Sequence, residues 1–383
     1  MKWGAAAWGA ALGGWLLAWT TSRGWIPVPM ASPEPALALS AIGLAFAAGL
    51  GVLAFELDLP AYRFGWRQIA PPAAALAVAL GALPVLGASF GGRWDQPERD
   101  LGGSLAFVNE GDRLDQGDFR ILWLGNPAAV PGHPWKLSGF ADTSYSLSRN
   151  GGLEATELWP GRPPGATGSV AEALSLASGQ STTQLGRMLA PMGIRYVAVA
   201  RRPAPEARQA PVSAELVTIL DRQVDLGRIE TEDAVVLFEN AAWIPSRAEL
   251  PGGTLVSGGL VGAASADLGG TASVLPDGND SVPTRFSGDV EVGTRVLLAE
   301  SPSSGWGLKL EGGELAPREE AFGVANAWDI EAGGAATLAY RSPVWQWAIV
   351  VGQIVMWALA ARWVWRASRS RRAARRATPK ATS

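Results

Sequence analysis

The chain of 383 residues has no cysteine and one histidine, His133. Without cysteine there is no disulfide framework and no thiolate metal site. With one histidine, no histidine-based metal cluster or Ser-His-Asp triad assembles, and in Gly132-His133-Pro134 the imidazole reads as a loop residue. No Gly-rich loop of the phosphate- or dinucleotide-binding type follows a strand pattern. Asn109, Glu110, Asp112, Asp115 and Asp118 form an acidic run. It lacks the alternating ligands and terminal bidentate Glu of a calcium loop, so it reads as a solvated lead-in. Asp277-Gly278-Asn279-Asp280 likewise reads as a turn. These absences predict no cofactor, no metal and no assignable catalytic residue.

Long apolar runs, in contrast, are present. Four uncharged stretches, 3–22, 36–55, 69–90 and 342–361, match the roughly 20 residues that a spanning helix needs. The last is followed by eight cations, Arg362, Arg366, Arg369, Arg371, Arg372, Arg375, Arg376 and Lys380, with no acid among them. Positive charge beside a span stays on the cytoplasmic side. The expectation is therefore a multi-pass plasma-membrane protein with residues 92–341 extracytoplasmic and the C-terminus cytoplasmic, its basic tail touching membrane lipid. Pro71, Pro72 and Pro84 predict a kinked third helix, and Gly9-x-x-x-Gly13 a close helix contact.

Residues 91–341 carry 20 Lys/Arg against 32 Asp/Glu, a formal charge of −12 that the whole-chain value of −3 conceals. Such an acidic surface excludes nucleic acid, whose phosphates need cations. Within 92–250, strand-like and helical patterns alternate. Residues 119–124 and 194–200 read as strands, and 169–177 and 213–222 as helices, the second with Leu216, Ile219 and Leu220 on one side. Ser181-x-x-Gln184 suggests a capping box, and Gly193 a helix C-terminus. Residues 224–228 and 234–239 complete a small α/β module. From 251 to 341, short alternating runs separated by Gly-rich turns point to a β-sandwich or jelly roll, a second module. The expected fold class is thus transmembrane α-helices (1–91 and 342–361), an α/β module, a β-sandwich module and a basic tail at 362–383.

Two resemblances accompany this reading. The runs 189–199 (LAPMGIRYVAV), 235–247 (VVLFENAAWIPSR), 304–313 (SGWGLKLEGG), 325–334 (ANAWDIEAGG) and 338–343 (LAYRSP) resemble the outer domain of YfhO-like membrane proteins. With 22–25 (SRGW), 64–68 (FGWRQ), 92–94 (GRW), 120–125 (RILWLG), 158–161 (LWPG) and 185–193 (LGRMLAPMG), about residues 20–366 resemble the C-terminal region of large actinobacterial multi-pass family 2 glycosyltransferases. That resemblance implies a membrane and extracytoplasmic portion of a system that builds cell-envelope polysaccharide. Its chemistry would lie in a glycosyltransferase partner or a missing N-terminal domain, and its contacts would be envelope glycan or lipid-linked sugar. Trp306 is the candidate glycan contact, while Trp328 suits a core. The alternatives are a self-sufficient transferase using a polyprenyl-phosphate sugar, with Glu34, Asp95 and Asp100 as its candidate acids, and a glycan-binding envelope anchor.

Overall fold

A computed structural model describes residues 2–22, 34–58, scattered positions in 76–87, and most of 117–362; within the last range the longer omissions are 154–164, 202–213 and 232–234. His133, Asp95, Asp100, the acidic residues 110–115 and nearly all of the basic tail lie outside the described residues.

The apolar N-terminal runs form two helices, α1 (Lys2–Ser22) and α2 (Glu34–Asp58). They pack antiparallel. Ala7, Ala11, Ala18, Ala36 and Ser40 are buried between them, and Ser40 Oγ donates to Ala11 O at 2.8 Å. The close approach uses Gly14 and Gly43, where an added Cβ would lie 2.5 Å from Ser40 Oγ and from Ala11 N respectively. Gly9 and Gly13, expected to make this contact, have nothing within 4 Å.

The expectation of transmembrane helices is overturned: among the described residues, no helix is long and apolar enough to cross a membrane. In α1 alanine and glycine fill much of the helix, and they take less apolar area out of water than Leu, Ile or Phe. Ala7, Ala11 and Gly14 among them serve the contact with α2 instead. Of the fourth run, residues 345, 347–359 and 361 are described, as helix. The third is described only in fragments. The multi-pass plasma-membrane location, with an outer 92–341 and an inner C-terminus, was read through those spans and is overturned with them. What the structure contains is a mixed α/β fold with three sheets.

The first sheet has the order β2-β3-β1-β5-β7-β6, with β4 (Gly152–Leu153) on β3. Its strands are β1 (Arg120–Gly125), β2 (Trp135–Lys136), β3 (Ser144–Arg149), β5 (Ile194–Ala200), β6 (Leu226–Ile229) and β7 (Val235–Asn240). Only β1 and β5 run parallel. A parallel pair needs a long crossover, and here it includes the helices α3 (Gly165–Ser178) and α4 (Leu185–Leu189). Side chains alternate across the sheet, as a strand's period of two requires. Leu122, Leu124, Val197, Val199 and Phe238 pack with the helices α3, α4 and α5 (Ala214–Asp221). Phe119, Ile121, Trp123, Tyr196 and Leu237 form a separate core on the other face.

The second sheet has the order β14-β15-β12-β8-β9 and is covered on both faces. Its strands are β8 (Arg247–Leu250), β9 (Ala272–Ser273), β12 (Arg295–Leu298), β14 (Arg318–Ala321) and β15 (Ala325–Asp329). Ala248, Leu250, Leu297, Ala325 and Ala327 join the helical core, together with Leu260 and Ala263 of α6 (Gly259–Ser265). Val296, Leu298 and Trp328 enter a smaller core shared with the third sheet, β10-β11-β16-β13. That sheet comprises β10 (Asp277–Asn279), β11 (Val282–Val290), β13 (Trp306–Lys309) and β16 (Gly334–Tyr340). β8 precedes residue 251, yet it pairs with β12.

The first and second sheets are also tied by ions. Arg120, 4% exposed, donates to Met192 O at 2.9 Å and to Ala299 O, and it pairs with Glu300 at 2.9 Å. Arg149 meets the same carboxylate. Burying a guanidinium is expensive unless it is paired and hydrogen-bonded, and Arg120 has both kinds of partner.

Candidate functional site

Trp306 opens the edge strand β13, opposite Tyr340 of β16, with ring centroids 5.2 Å apart in a T-shaped contact. It is half-buried and packs against the small core. Gly305 makes room for the tyrosine, since a Cβ there would stand 2.5 Å from the Tyr340 ring. The indole is thus held in place at a sheet edge. Trp328 is fully buried. Glu34 is the first residue of α2, and Asp118 pairs with Arg247 at 2.7 Å. That guanidinium lies 4.1 Å from the Phe286 ring centroid, so the pair is part of the packing.

A cleft of about 430 Å³ opens elsewhere, beside α4 and the β6–β7 pair. Gln184, Arg187, Asp225, Trp243, Asp267 and Thr271 are among its lining residues. Its position follows from how α4 is capped. A helix leaves its first N–H groups without intrahelical partners, and Gln184, the N-cap residue, makes no side-chain capping bond. The turn after α5 supplies both acceptors instead. Gln223 Oε1 accepts from Leu185 N at 3.1 Å, and Asp225 Oδ2 accepts from Arg187 N at 2.8 Å. Asn240 fastens the other side, donating to Gly186 O at 2.8 Å and to Ile194 O at 2.9 Å. Gly186 is required by this packing, because a Cβ there would lie 2.8 Å from Asp225 Cγ.

Asp225 is therefore a fixed carboxylate, 8% exposed, with one oxygen engaged. Its other oxygen, Oδ1, is buried and has no hydrogen-bond partner. An unpaired buried acceptor costs roughly 1–3 kcal/mol, more when charged. Trp243 makes an aromatic wall. Arg195 stacks 4.5 Å from its ring centroid, and its Nε1 donates to Gly193 O at 3.2 Å, so the indole is rigid. The cleft combines a locked aromatic surface with polar lining side chains. Among the described residues no group of His, Cys, Asp and Glu is placed to hold a metal ion.

Sequence reasoning did not single out Asp225 or Trp243. The pattern 224–228 reads only as a strand, because a carboxylate capping a helix 38 residues away leaves no local signal. No family model, curated protein or solved structure matches the chain.

Proposed function

We propose that this chain is a non-catalytic, glycan-contacting component of a cell-envelope polysaccharide glycosyltransferase system, with the Asp225 cleft as its contact. The observation that carries the reading is the cleft of about 430 Å³, walled by the fixed indole of Trp243 and lined by polar side chains such as Gln184, Arg187 and Thr271. Sugar rings offer what that lining uses: hydroxyls for its polar groups and an apolar C–H face for the indole. The resemblance of residues 20–366 to the C-terminal region of family 2 glycosyltransferases supports the setting. The chemistry is assigned to a partner, as that resemblance implies.

The test is saturation-transfer NMR of the purified chain with envelope polysaccharide fragments. It is run alongside a transfer assay offering nucleotide-sugar and polyprenyl-phosphate-sugar donors. Binding without turnover is expected. Turnover with either donor, or no saturation transfer to any fragment, overturns the reading.

A further inference from the structure

Resting on the glycan-contact reading, we infer that the cleft takes acidic sugars, saccharides bearing a carboxylate or a phosphate, in preference to neutral ones, and that Arg187 reads the acid group. Arg187 lines the cleft and is half-buried. Its backbone N–H is spent on Asp225 Oδ2, so what it offers a ligand is the guanidinium. Among the described residues that guanidinium has no hydrogen bond and no ion pair. By contrast, Arg120, Arg195, Arg247 and Arg295 each hold a carboxylate. The two acids that line the same cleft do not fill that role for Arg187. Asp225 has one oxygen on the Arg187 N–H and the other buried inside the fold. Asp267, on the exposed rim, has an interaction of its own. A guanidinium carries five N–H donors and no acceptor, in a planar fork that matches the oxygens of a carboxylate or a phosphate. An acid group can take two of those donors at once and is held by charge as well, whereas a neutral hydroxyl takes one.

The rest of the lining fits the sugar that carries such a group. Gln184 and Thr271 are half-buried, and their side chains make no hydrogen bond among the described residues. An amide and a hydroxyl can each donate to or accept from ring hydroxyls. Trp243 supplies an apolar wall, with Arg195 covering part of its π-surface. At about 430 Å³ the cleft is at the small end of ligand sites, suited to a terminal or short saccharide.

The experiment titrates the full chain with methyl glucoside, glucuronic acid and glucose-6-phosphate, followed by NMR shifts of the Trp243 indole N–H, which Trp243→Phe assigns. At least one of the two acids is expected to bind about tenfold tighter than methyl glucoside, which is about 1.4 kcal/mol. The arm that does so tells carboxylate from phosphate. Arg187→Gln should remove the preference, and Arg187→Lys, which keeps the charge without the fork, should retain part of it. If Arg187→Gln fails to fold, salt tests the same charge on the unaltered chain: it should weaken the acids and not methyl glucoside. An equal response to salt, or a preference that survives Arg187→Gln, overturns the inference. Methyl glucoside binding as tightly as both acids overturns it too, while the glycan-contact reading stands. Acetate or inorganic phosphate binding as tightly as the matching sugar acid overturns it in favour of a plain anion site. No shift with any probe removes both readings.

Discussion

Val296 and Trp328 are register partners across β12 and β15, and both side chains enter the core between the second and third sheets. Trp328 is the largest fully buried side chain described, yet its Nε1–H has no hydrogen-bond partner. The indole is there for its volume. Trp328→Ala should therefore cost about 3–5 kcal/mol, in the range for large aromatic truncations. Trp328→Phe loses volume but no hydrogen bond, so it should cost clearly less. Denaturant melts of the two variants check the order, and equal losses would mean that the indole N–H matters after all.

The helix pair α1–α2 makes a sharper prediction. Gly43→Leu places a side chain against the α1 backbone, where Ala11 N and Ala7 O already stand 2.5 and 2.8 Å from a Cβ. Gly9→Leu meets open space. Hydrogen exchange should show lost protection in both helices for the first variant and none for the second.

Asn326 is fully buried with its amide satisfied. Its Oδ1 accepts from Ser303 N at 3.1 Å and Arg318 Nη1 at 2.9 Å, and its Nδ2 donates to Glu300 O at 2.8 Å. Asn326→Leu leaves these groups unpaired, each at roughly 1–3 kcal/mol if it stays dry. The thermal midpoint should fall by more than for a comparable core Leu→Val change, and an unchanged midpoint would show that water replaces the amide.

Asp329 and Arg295 form a two-pronged ion pair, with contacts of 2.6 and 2.8 Å. The hydrogen bond from Arg295 holds the Asp329 carboxyl below its ordinary range against the opposing effect of burial. A carboxylate whose pKa is lower in the folded state contributes stability above its unfolded pKa. That contribution is lost as pH falls through the folded value. Because the Asp329 side chain is about half exposed, Asp329→Asn should cost at most about 1 kcal/mol at neutral pH. The gap between variant and parent should close in acid and shrink in high salt, as urea melts across pH will show.

Some of this was legible in the sequence. Residues 194–200 read as a buried strand because seven apolar or amphipathic positions follow a helix-ending glycine; β5 spans those residues, and Gly193 has φ of 69°. The helical spacing of Leu216, Ile219 and Leu220 gave the buried face of α5. Other features were hidden for physical reasons. Length and lack of charge in 3–22 and 36–55 suggested spans, whereas small residues such as Gly14 and Gly43 signalled helix against helix. Residues 247–250 fall inside the 92–250 module, and only long-range pairing reveals the place of β8 beside β12. Gln223 and Asp225 are two polar residues flanking an exposed valine in the sequence, and their shared task of capping α4 exists only in three dimensions.

The second sheet is a party wall. Each of its faces closes a different room, and β8, one of its inner strands, enters from the neighbouring side of the residue 250 boundary. A fragment of residues 251–341 would lack that strand and bare the face that Leu297 and Ala327 present to the helices. The two rooms thus cannot be traded separately as cassettes, because a change that widens one must be fitted by the other.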